Sequence, residues 1–108
     1  MGYLLTTKPR SWLRPDVSIT RPGQPGEDFY EGAPWMVFEI VSESDTATRL
    51  DRKVRAYLAH GAKEVWVLYP ESRHAWVYED RAQSARREEH SIHSELLPGI
   101  EISFDRFL

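Results

Sequence analysis

The chain contains no cysteine, which rules out disulfides, thiolate metal sites and cysteine nucleophiles. That absence fits a reducing compartment. No apolar run approaches the roughly 18–20 residues that span a bilayer. The N-terminal stretch MGYLLTTKPRSW lacks the apolar core and small-residue cleavage site of a signal peptide. The expectation is a soluble, cytoplasmic protein. A surplus of positive charge is missing too: 14 Lys and Arg stand against 17 Asp and Glu, a net charge of −3. That balance argues against simple sequence-independent nucleic-acid binding. It leaves room for an enzyme whose bound cations neutralise its own acids. Lysine is scarce, with three residues against eleven arginines, and arginine favours bidentate pairing with carboxylate or phosphate. There is no internal repeat, no low-complexity tract, and no G-x-S-x-G, Walker or dinucleotide fingerprint.

What is present suits one domain spanning residues 1–108, with an apolar fraction of 41% and thirteen aromatics (four Trp, five Tyr, four Phe) to build one modest core. From Asp16, the run Asp-Val-Ser-Ile-Thr alternates polar and apolar, as in a half-buried strand, with Pro15 at its start. Residues 21–34 hold three Pro and three Gly and read as a long loop. Residues 35–42 form a continuous apolar strand buried on both faces. A helix is predicted over 46–60, where Leu50, Val54, Tyr57 and Leu58 make one apolar stripe, and Gly61 closes it. Residues 63–69 and 74–79 pair as a hairpin about the turn at 70–73. Residues 80–89 read as a polar loop. Segments 90–97 and 100–104 each read as a short strand, and the last five residues as a docking turn of helix. The expected fold class is therefore α/β: a mixed β-sheet with a strand-helix-strand crossover and few helices.

Glu39 is the most telling residue. It lies inside Trp35-Met36-Val37-Phe38-Glu39-Ile40-Val41, where an ionised carboxylate is costly unless a cation or hydrogen-bond donors compensate it. Asp16 sits on an earlier strand and Lys53 on the following helix. Magnesium takes hard oxygen ligands and needs only one or two carboxylates, with water and substrate phosphate completing its shell. Asp16 and Glu39 suit that role, with the backbone carbonyl of Ile40 as a further ligand. Lys53, at the margin of the apolar stripe, can lay its stem on apolar side chains and bring its ammonium to the sheet end, where it can stabilise charge on phosphoryl oxygens or orient water.

An acid after proline, an acid in an apolar strand and then a lysine resembles the PD-(D/E)XK nuclease superfamily. More closely, RPDVSI, VFEIVSES and DRKVRAYLAHGAKEVWVLYPE resemble the "putative restriction endonuclease" family of bacterial proteins, abundant in cyanobacteria and of unknown function. The similarity covers about residues 14–79, and LLPGIEI resembles the family's usual ending. It implies a restriction-endonuclease-like fold and Mg²⁺- or Mn²⁺-dependent hydrolysis of DNA. Asp16 and Glu39 match the metal-binding acids, and Lys53 matches a catalytic lysine carried on the helix rather than the strand. Val41 stands two residues after Glu39, where the superfamily has lysine, a departure usual in this family. Glu43 replaces a proline common after the serine. Family members generally carry a longer N-terminal region, so a short or N-terminally truncated member is expected. So is a homodimer that covers the resulting sheet edge. The alternative from another class is a catalytically inactive nuclease-fold interaction module.

Plainer readings stand beside these. Glu39 can pair with an arginine such as Arg14 or Arg49, Asp16 can simply start a strand, and Lys53 can be a snorkelling structural lysine. Asp51 can be a hydrogen-bonding support of the site but reads more readily as a solvated helix acid, and Ser42 reads equally well as a donor to a ligand carboxylate or as capping context. His90 and His93 would face opposite sides of an alternating stretch, which argues against zinc. Arg49, Arg52 and Arg55 can reach DNA phosphates, but such a run is more often a solvated face. The tryptophans read as core.

Overall fold

The alternation of side chains along two neighbouring apolar strands divides the described interior into two clusters, one on each side of a sheet. A computed structural model describes residues 3–7, 10–13, 17–19, 30–31, 35–80, 84–106 and 108. In chain order the strands are β1 (Tyr3–Thr7), β2 (Arg10–Leu13), β3 (Val17–Ile19), β4 (Tyr30–Glu31) and β5 (Met36–Ile40). Helix α1 (Ala47–Ala59) follows, then β6 (Glu64–Tyr69), β7 (His74–Glu79), β8 (Arg86–Glu88), β9 (Ser91–His93) and β10 (Glu101–Ser103), and a 3₁₀ turn at Phe104–Arg106.

The main sheet has five strands in the order β3-β5-β6-β7-β8. β5 and β6 are parallel, with Glu39 opposite Val67, and α1 is the crossover between them. The other pairs are antiparallel, including β3 on β5, where Val17 faces Phe38 and Ser18 faces Val37. β9 and β10 form a separate antiparallel pair. Odd positions of the central strands (Val37, Val65, Val67) pack with Val54 and Tyr57 of α1. Even positions (Met36, Phe38, Trp66, Leu68) pack on the other face with Ala75, Val77, Ile92 and Phe104. This is the period of two expected of strands. The mixed α/β sheet with few helices is the one the patterning predicts.

The ends of α1 follow from their side chains. Thr46 has extended backbone and its hydroxyl accepts the Arg49 N–H at 3.2 Å, satisfying one otherwise orphaned donor. Gly61, at φ 111°, occupies a backbone region that favours glycine and ends the helix. We expect Thr46→Ala to cost about 1 kcal/mol. Urea unfolding followed by circular dichroism checks this; an unchanged midpoint would show that the cap is not needed.

Four segments differ from their predicted form, and one of them, the strand expected over 90–97, is confined to Ser91–His93. Residues 80–89, expected to be a loop, contain β8, because charge holds what apolar patterning does not: Arg86 pairs with Glu79 on β7 and with Glu88 two residues along its own strand. The N-terminal stretch forms the β1–β2 hairpin, which its sequence pattern does not predict. Within the predicted loop 21–34, Tyr30–Glu31 pairs parallel with β1. The rest of that loop lies outside the described residues.

Candidate functional site

Glu39 is the penultimate residue of β5 and shares its sheet face with Val37, so it points toward α1. It is only 4% exposed. Two side chains one helical turn apart on α1 meet it. The Tyr57 hydroxyl, on a fully buried ring, donates to Glu39 Oε1 at 3.2 Å. Lys53 Nζ lies 3.8 Å from Oε2, with 28% of its side chain exposed. That spacing is an ion pair rather than a tight hydrogen bond. The i, i+4 spacing puts both groups on one side of the helix. Burying a carboxylate without such partners would cost several kcal/mol. The stem of Lys53 runs beside the apolar stripe while its head reaches the sheet end, as snorkelling predicts.

Of the four residues expected to form the site, the structure brings Glu39 and Lys53 together. Ile40 follows Glu39 at the strand's end and is 41% exposed. Asp16 lies outside the described residues; the next residue, Val17, pairs with Phe38, the neighbour of Glu39. Among the described residues, no group of three or more His, Asp or Glu side chains is arranged to hold a metal. Tyr57 is the residue that sequence reasoning missed. Its place in the apolar stripe accounted for the ring and left the hydroxyl unexplained, although a buried tyrosine hydroxyl generally needs a partner.

The turn from β5 to α1 is held by charge-assisted bonds. The Asp45 carboxylate accepts the Ser42 N–H at 2.8 Å and the Ser42 hydroxyl at 3.2 Å. These bonds, the backbone one foremost, hold Asp45 below its ordinary pKa of 3.8, with help from the nearby charges of Lys53 and Arg49. Ser42 thus serves the helix start. Asp51 pairs with Arg55 at 2.9 Å and both are exposed, so Asp51 is a solvated helix acid.

We expect Tyr57→Phe to destabilise the fold by about 1–3 kcal/mol, the cost of leaving a buried acceptor short of its donor. Differential scanning calorimetry checks this. A variant that melts with the wild type would show that the hydroxyl does not support the carboxylate.

A mixed sheet with a parallel strand-helix-strand unit, and a buried carboxylate served by a helix-borne lysine, places the chain among restriction-endonuclease-like α/β domains. The chain belongs to the Uma2 family, described as "Putative restriction endonuclease", whose model matches residues 2–105. It is also similar to a crystal structure described as a "putative nuclease belonging to DUF820" from Anabaena variabilis ATCC 29413. That match has 17% sequence identity and a TM-score of 0.71, and covers 87% of this chain and 58% of the other. The chain thus spans a little over half the length of that relative. No curated protein matches it.

Proposed function

We propose that the chain is a nuclease that hydrolyses DNA phosphodiester bonds with Mg²⁺ or Mn²⁺. The observation that carries this reading is the convergence of Lys53 and Tyr57 on the buried carboxylate of Glu39. The donor set fits a hard divalent ion, which takes oxygen ligands and few carboxylates. Asp16 and Glu39 would hold it with the Ile40 carbonyl. Bound there, such an ion polarises a phosphoryl oxygen and lowers the pKa of water.

The protein's own groups divide the remaining work. Tyr57 fixes one Glu39 oxygen, so the carboxylate keeps a defined orientation. Lys53, partly open to solvent, presents a positive charge beside Glu39, where charge building on the scissile phosphate would be stabilised. The pairing of Val17 with Phe38 supports Asp16 as the second acid, since it is the residue just before Val17.

The test is nicking of supercoiled plasmid in Mg²⁺ and Mn²⁺ by the wild type, Asp16→Asn and Glu39→Gln. The wild type should nick and both variants should not. A wild-type protein that neither nicks nor binds Mn²⁺ in a calorimetric titration would be an inactive interaction module instead.

A further inference from the structure

The three arginines of α1 are not equivalent. Arg55 is taken up by Asp51 at 2.9 Å. Arg49 and Arg52 are exposed and enter no ion pair among the described residues. Arg49 stands one turn before Lys53, and Arg52 lies beside Arg49 at i+3, so these cations form one band on the helix. The band ends at Lys53, whose ammonium reaches Glu39.

A denser group of acids lies on another face. Glu64, Glu79, Glu88, Glu95 and Glu101 line a cavity of about 780 Å³. Glu64 shares a sheet face with Trp66, whose indole N–H donates to it at 2.9 Å, and Trp66 packs on the face opposite α1. Glu64 also stands at the start of β6, whereas Glu39 is near the end of β5 beside it. Arg86 in that cavity is committed to Glu79 and Glu88. One face thus carries an acid-lined cavity, and the other carries two exposed arginines outside any ion pair of the described residues, leading to the candidate site. A polyanion would be repelled from the first and drawn to the second.

We propose that Arg49 and Arg52 form a track for the phosphate backbone of duplex DNA, leading it along α1 to Lys53 and Glu39. The inference rests on the nuclease reading and adds the surface that holds the substrate. Each arginine would neutralise a phosphate flanking the one to be cut, fixing register without reading sequence.

The test is binding of the full chain to a fluorescent duplex across a salt series in EDTA, so that cleavage plays no part. Each lost phosphate contact lowers the slope of log K against log salt by about 0.9. The Arg49→Gln/Arg52→Gln variant should lose roughly two from that slope, and Arg52→Gln alone about one. Arg55→Gln should leave it unchanged. Glutamine is a good helix former, so these exposed changes should preserve the melting profile, which circular dichroism would verify. An unchanged slope in both track variants, an equal loss in Arg55→Gln, or no salt-dependent binding by the wild type would overturn the proposal. Nicking lost in Glu39→Gln alongside an unchanged slope in the arginine variants would refute the track alone. A reduced slope without nicking by the wild type would refute the nuclease reading alone.

Discussion

Glu39→Gln is expected to remove divalent-metal-dependent nicking while leaving the protein folded. Glutamine keeps the shape of glutamate and an oxygen that can accept the Tyr57 hydroxyl, so the packing around a residue only 4% exposed is preserved. What disappears is the negative charge. Lys53 loses the Glu39 charge, but its partly exposed head can turn to water, so the melting temperature should move by only a few degrees. The functional loss should be far larger. Even groups that merely support metal ligands cost about 10–100-fold in affinity or activity when removed, and a charged ligand should cost at least the upper end of that range. Mn²⁺ titration calorimetry and plasmid nicking would be read together with a melting curve. A folded Glu39→Gln protein that still nicks would end the assignment of Glu39.

Trp66→Ala is expected to give the largest loss of stability. Trp66 is fully buried at the centre of the sheet face that carries Met36, Phe38 and Leu68. Its ring lies 6.2 Å from that of Phe38. Truncation of such a side chain costs about 3–5 kcal/mol through lost transfer energy and the cavity left behind. It would also take the indole donor from Glu64, a buried carboxylate whose other oxygen accepts the Ser94 hydroxyl. In a domain of this size 1 kcal/mol moves the melting temperature by about 4–8 °C, so a fall of 12 °C or more should follow. Trp66→Phe separates the two causes, since it keeps most of the packing and removes only the N–H. If Trp66→Ala melts within a few degrees of the wild type, the sheet does not depend on this face.

The difference between the segments read well and those read poorly lies in how their stability arises. β5, α1, β6 and β7 carry strong patterning, and each lies within about two residues of its predicted bounds. Their apolar periodicity reflects burial directly, so one sequence suffices to see it. β8 carries none: Arg86-Arg87-Glu88 is a strand because of partners on β7, Glu79 among them. β1 and β2 were hidden for a related reason. Their register is set by pairing with each other, and a short strand with little alternation does not announce itself.

The sequence alone determined the sheet's central order, the burial of an acid at position 39, and the place of Lys53 on the margin of the helix that crosses beside it. These follow from local patterning and from the length of chain that a parallel crossover requires. Only the tertiary structure decided which groups answer that acid. Arg49 and Lys53 stand on the same side of α1 in sequence, yet it is Lys53, with Tyr57, that reaches Glu39, because the parallel register of β5 and β6 fixes where the helix lies over the strand. Folding likewise assigned the arginines their separate fates, pairing Arg55 and leaving Arg49 and Arg52 to solvent. Charge partnership depends on distances between elements, and those are settled only when the sheet and helix pack.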